Sequence, residues 1–194
     1  MRAAEDGANA AAPALDTTLQ ALASLAAEPH YAGLSTVVLA RSAGSLLLDA
    51  ALRRISVAGR RAALKSLGRI VLSAPLIKPE AFAHPFGLGG AGLPPICVTV
   101  NRHDATLQNA DWIDGFGHPL GVQATPVACD STPCWLDFSA SDGVGDRHDY
   151  LLPEISAAQH GVHAALLCAA PFDPSDMVAK GWLNPRADGG FDVR

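Results

Sequence analysis

No apolar run in this 194-residue chain approaches the ~20 consecutive residues that a membrane-spanning helix requires. Charge is sparse, at 17% of residues against 49% hydrophobic, which suits one ordinary globular core at a length too short for two. The net charge of -5 leaves no electrostatic footprint for a nucleic acid. The one basic cluster, Arg53, Arg54, Arg60, Arg61 and Lys65, reads as a solvated helix face. The first residues lack a compact apolar segment behind a basic one, so no signal peptide is read and the cytoplasm is the default compartment. Cys97, Cys129, Cys134 and Cys168 match no zinc spacing. Cys129 and Cys134 are spaced to bridge a loop in an oxidising compartment, but reduced thiols suit a core-rich domain better. No internal repeat is present, and nothing calls for a metal or cofactor. A nucleotide-binding domain is excluded because residues 40–44 lack the Gly-x-Gly-x-x-Gly fingerprint and the Gly-rich run 87–92 leads into a strand.

Residues 1–15 read as a disordered leader, 16–170 as one domain and 171–194 as a loose tail. Asp16 is placed as an N-cap before Leu19, Leu22 and Leu25, which recur at helical spacing until Glu28-Pro29. Four β-branched-rich runs follow, at 36–40, 70–74, 96–100 and 135–139. The first three are near-continuously apolar, as strands of a parallel sheet covered on both faces are. Helices are expected over 44–55 and 151–167, so the chain reads as α/β with right-handed crossovers.

The turn Ala40-Arg41-Ser42-Ala43-Gly44 links the first strand directly to a buried helix. Small residues two before and two after the serine fit a sharp, strained turn in which larger side chains would collide with neighbouring elements. Such a turn lifts the serine hydroxyl above the sheet edge and aims the Ala43 N–H at an oxyanion. The same small residues also fit a plain close-packed turn.

A serine hydroxyl needs a base to take its proton, and a carboxylate must orient that base. Asp104 lies four residues past the third strand, and His148 a short loop past the fourth. Loops at the C-terminal edge of a parallel sheet converge on one crevice, so the three can meet. Asp104 also fits as a helix N-cap, and His148 as a loop histidine bonded to Asp146 or Asp149. His103 is the second choice of base. His160 and His163, three apart on a helix, fit a metal site less well than a helix surface. The loop 108–134, with Trp112, Ile113 and Phe116, fits either an apolar lip over an acyl group or a docking segment. Arg41 joins Trp112 and Phe116 as a candidate substrate contact.

In register from about Leu19 to Glu154, the chain resembles a family of uncharacterised, mostly bacterial α/β-hydrolases of the serine esterase/lipase-like type. The matching segments are Val38-Leu39-Ala40-Arg41-Ser42-Ala43-Gly44-Ser45, Leu47 to Leu52, Val71-Leu72-Ser73-Ala74-Pro75, Asn101 to Leu107, Leu136 to Ser139 and His148-Asp149-Tyr150-Leu151. The resemblance implies a three-layer αβα fold with a mostly parallel sheet, and Ser42, Asp104 and His148 as nucleophile, acid and base. Arg41 and Ala43 stand where the family usually has His and Met, and Leu76 where an Asp generally follows Ala-Pro, which marks a divergent member. Compared with a complete α/β-hydrolase, the chain reads as the C-terminal half, without the early strands and the loop that gives a second oxyanion N–H. Their lack would leave an apolar sheet edge open to a partner or a second copy. Two functions are therefore expected: an ester hydrolase working on a small-molecule acyl substrate, or a catalytically weak binding module completed by a partner.

Overall fold

The computed structural model describes residues 2–31, 35–55, 57–86, 94–114, 117–127, 134–150, 156–168 and 171–194. The first helix, α1 (Arg2–Ala26), takes in the stretch expected to be a disordered leader. Alanine has the highest helix propensity, and Ala8, Ala12 and Leu19 form a buried stripe at helical spacing. The small side chains of Ala8 and Ala12 let α1 lie close against its neighbours α2 (Gly44–Arg54) and α3 (Val57–Lys65). Asp16 therefore sits inside the helix rather than at its cap, and its carboxylate accepts a 2.6 Å bond from Gln20 Nε2. Among the described residues, no helix is long and apolar enough to cross a membrane.

Six strands form one sheet in the order β1-β2-β3-β4-β6-β5. The first four are β1 (Thr36–Arg41), β2 (Leu67–Ser73), β3 (Ile96–Val100) and β4 (Cys134–Asp137), all mutually parallel. Between them run α2 and α3, then α4 (Pro79–Phe86), then α5 (Ala105–Asp114). Every residue of β3 is buried, as a parallel strand covered on both faces must be. On β2, Arg69 and Val71 share the face covered by α6 (Ala157–Leu167), while Ile70 and Leu72 point the opposite way and are fully buried. The Arg69 guanidinium donates to the carbonyls of Ala165 at 2.8 Å and Leu166 at 2.7 Å. It thereby satisfies the open carbonyls of the last turn of α6 and fixes that helix on the sheet.

The expected loose tail is instead structured. Asp173 caps α7 (Pro174–Ala179), accepting a 2.8 Å bond from the Ser175 N–H, with proline at the first helical position where its missing N–H costs nothing. The chain then forms the hairpin β5 (Leu183–Pro185) and β6 (Phe191–Val193), and β6 pairs parallel to β4. Arg186 locks this hairpin by donating to the buried Asp137 Oδ2 at 2.9 Å. These strands are too short to show alternation, which is why composition alone read them as tail.

Other boundaries also shift. The fourth strand ends at Asp137 because the Ser139 N–H turns back to the Asp137 carboxylate at 2.8 Å. The expected loop from Gln108 is helical as far as Asp114. The last long helix starts at Ala157, capped by Ser156, and its expected residues 151–155 lie outside the described ones. So do Cys129, Phe116 and the Gly-rich run 87–92. Cys97, Cys134 and Cys168 are free thiols.

Candidate active site

Parallel strands deliver their C-terminal loops to one edge of the sheet, and β1, β3 and β4 bring Ser42, Asp104 and His148 there. Ser42 has φ +51°, left-handed backbone that a residue with a side chain rarely adopts. The strain is held from several sides. The Ser42 N–H donates to the Ser73 carbonyl at 2.9 Å, continuing the β1–β2 ladder by one residue. The Ser42 carbonyl accepts from the buried Ser45 hydroxyl at 2.6 Å, and Ser45 Oγ in turn accepts from the Leu76 N–H at 2.9 Å. Ser42 itself is only partly buried, and Ala43 beside it is exposed. Among the described residues, the Ala43 N–H makes no hydrogen bond, as suits a donor at a helix start held for an incoming oxygen.

One expectation about this turn needs correction. Ala40 is buried, in keeping with a small residue two before the serine. A Cβ added at Gly44 would meet nothing within 4 Å, so close packing does not require glycine there.

Asp104 combines two roles that the sequence left as alternatives. It is fully buried at the start of α5, where Oδ1 accepts from the Leu107 N–H at 3.0 Å as an N-cap does. Its other oxygen, Oδ2, lies 2.7 Å from His148 Nδ1. With the Asp104 carboxylate as acceptor the ring donates through Nδ1, and the neutral tautomer that does so has its lone pair on Nε2. Asp146 and Asp149 are not the histidine's partners: the Asp146 carbonyl accepts from the Ala105 N–H at 3.0 Å, and Asp149 pairs with Arg41.

The loop carrying His148 is pinned on both flanks. Asn101, buried just past β3, donates through Nδ2 to the carbonyls of Gly145 at 3.0 Å and Arg147 at 2.9 Å. Two residues after the histidine, the buried Tyr150 hydroxyl accepts from the Ala74 N–H and bonds Thr99 Oγ1, each at 3.1 Å. Burial raises the Tyr150 pKa, against the Thr99 bond, so the phenol keeps its proton. Asn101 and Tyr150 hold the loop that carries His148; the sequence reading passed over both, although they lie in the segments that carry the family resemblance.

The remaining candidates fall into place. Arg41 is committed to an ion pair with Asp149 and a 3.5 Å bond to the His148 carbonyl, which draws the histidine loop against the serine turn. Among the described residues the Ser42 hydroxyl makes no hydrogen bond to His148, and catalytic hydrogen bonds are often loose before substrate arrives. His103 is exposed and is not bonded to Asp104. Trp112 lies on α5, and Phe116 lies outside the described residues. His160 is exposed, whereas His163 is buried and stacked on Phe138 with ring centroids 5.1 Å apart. His163 thus packs in the core, where a helix surface was expected for the pair, and no cluster able to hold a metal ion occurs among the described residues.

The family model described as "Alpha/beta hydrolase of unknown function (DUF900)" matches residues 3–129, which take in α1 through α5. No curated protein and no solved structure matches the chain. The mostly parallel six-stranded sheet agrees with that match, and the chain belongs to this family of alpha/beta hydrolases of unknown function.

Proposed function

We propose that the chain is a serine hydrolase acting on carboxylic esters through Ser42, Asp104 and His148. The observation that carries this reading is the 2.7 Å bond from His148 Nδ1 to the buried Asp104 carboxylate, beside a serine held at φ +51°. Asp104 orients the imidazole and steadies the charge it acquires. His148 Nε2 takes the Ser42 proton as Oγ attacks the ester carbonyl carbon. The carbonyl π electrons move onto oxygen, and the Ala43 N–H donates to that oxyanion. Collapse expels the alkoxide, which leaves as alcohol with the proton from His148, and an acyl-serine remains. Water then repeats the sequence: His148 takes its proton, the carboxylic acid departs, and Ser42 Oγ recovers a proton.

Hydrolysis of p-nitrophenyl esters tests the reading. Turnover that disappears in Ser42→Ala, with the variant folded, supports it; equal turnover by the variant refutes it.

A second reading is a weakly catalytic module completed by a second copy or another chain. It is favoured by β1 standing at the edge of the sheet with Leu39 43% exposed. Mass measurement in solution, together with absent turnover by the monomer, supports that alternative.

A further inference from the structure

A cavity of about 420 Å³ is lined in part by Arg41 and Asp149, the chain neighbours of the proposed serine and histidine, though not by Ser42 or His148 themselves. Its floor is Leu39 of β1 and Val71 of β2, which are register partners on the same face of the sheet. Its opposite wall is α6, through His163 and Leu166. Its rim carries Arg41 and Asp149, one residue before Ser42 and one after His148. The chain itself thus ties the mouth of the cavity to both reacting groups.

The chemistry of the walls is one-sided. Floor and wall are mainly apolar, with Leu39, Val71 and Leu166 beside the His163 ring, and the volume lies within the range of ~300–1,000 Å³ usual for ligand sites. The two charges at the rim neutralise each other in the Arg41–Asp149 pair. On the wall, His163 has its pKa lowered to about 4 by burial and by nearby His160, so its ring is uncharged at neutral pH. Among the described residues, the polar groups of this space are the paired Arg41 and Asp149 at the rim and the uncharged His163 ring, so its depth favours an apolar group over an anionic or sugar-like one. It suits an apolar chain whose polar end stays at the rim.

The wall is also fixed rather than loosely laid on the sheet. Arg69 holds the last turn of α6, and the Phe138 ring stacks on His163 from behind. Along the β1 edge the cavity is bordered by Leu39 and Leu167, the latter 50% exposed, which leaves a path for the chain to enter sideways.

We propose that this cavity is the acyl-chain site of the enzyme and that its substrates are esters carrying an extended apolar acyl chain. The proposal rests on the reading of Ser42 as nucleophile: the scissile carbonyl sits at Ser42 while the alkyl chain runs past the Arg41–Asp149 rim between Leu39 and Leu166.

Two experiments test it separately from the hydrolase reading. The first compares kcat/KM for p-nitrophenyl octanoate and acetate in the native chain and in Leu39→Trp, which fills the cavity from an already exposed position. Octanoate is favoured in the native chain, and the octanoate-to-acetate ratio falls about tenfold or more in Leu39→Trp. The second titrates 11-(dansylamino)undecanoic acid into Ser42→Ala, which needs no turnover. Saturable binding that is lost in Ser42→Ala with Leu39→Trp is expected, with circular dichroism confirming that both variants fold. Turnover without chain-length preference, or unsaturable binding, overturns the cavity proposal and leaves the hydrolase reading standing. Saturable, Leu39-dependent binding without any turnover supports the cavity and overturns the hydrolase reading. A dimer that dissociates on Leu39→Trp assigns the cavity to a second copy and also overturns the proposal.

Discussion

Replacing Asp104 separates the two roles that its carboxylate combines. In Asp104→Ala the cap on the Leu107 N–H is lost, at about 1 kcal/mol. The bond to His148 goes as well, at about 1 kcal/mol more. The site is fully buried, so the stranded N–H cannot turn to water, and a total near 2–3 kcal/mol is expected. For a chain of this size that lowers Tm by roughly 4–12 °C. Asp104→Asn keeps an oxygen for the cap and most of the packing, so its cost stays within about 1 kcal/mol. Its amide, however, presents a donor to His148 Nδ1 and forces the proton onto Nε2, where the base must be free. Both variants therefore lose about 10³–10⁴ in kcat/KM for an ester, by analogy with other triads. Thermal unfolding and ester kinetics on the same samples read the two effects. Equal destabilisation by Asn and Ala refutes the capping role, and near-native kcat/KM in Asp104→Asn refutes the orienting role.

Three further outcomes follow from the contacts. Tyr150→Phe removes the hydroxyl that the Ala74 N–H shares with the Thr99 carbonyl at 3.2 Å, and lowers stability by about 1 kcal/mol in urea unfolding, with slower ester turnover because the histidine loop loosens. Arg186→Ala leaves the buried Asp137 with Arg102 at 3.0 Å, so the loss is near 2 kcal/mol rather than the ~3–5 of a fully stranded charge, and limited proteolysis cuts first after Asp173. His163 carries a pH dependence. Its folded pKa of about 4 lies below the unfolded value of 6.5, so the unfolded chain binds the proton first as pH falls. The native state keeps its full stability above pH ~6.5 and loses up to about 3 kcal/mol on descending toward pH 4. His163→Gln flattens that slope in urea titrations at successive pH values, and an unchanged slope contradicts the assignment.

The parallel strands were legible because β1, β2 and β3 carry continuous β-branched apolar runs, and β3 was found at the expected residues. The candidate site was legible because its chemistry lies in short loops directly after strands, where topology alone brings residues together. The Asp104–His148 bond joins residues that sequence order had already singled out. Three things were not legible. The first half of the helix over Arg2–Ala26 buries the alanines Ala8 and Ala12, and single methyl groups mark a buried face less plainly than Leu19 does further along. The β5–β6 hairpin has three residues per strand, too few for alternation, and is held by the remote Arg186–Asp137 pair. The second duty of Asp104 was hidden because a carboxylate has two oxygens, and sequence arguments set the cap against the acid when the geometry uses both.

The central claim is that Ser42 is an activated nucleophile, and reaction with a small alkyl fluorophosphonate tests it most directly. The serine Oγ displaces fluoride from phosphorus, with His148 accepting the proton, and intact-mass spectrometry reads the adduct. The account predicts one phosphonyl group per chain, located on the peptide containing Ser42 and absent from Ser42→Ala and His148→Ala. An unmodified native chain with a normal thermal unfolding transition, or modification that persists in Ser42→Ala, would contradict it.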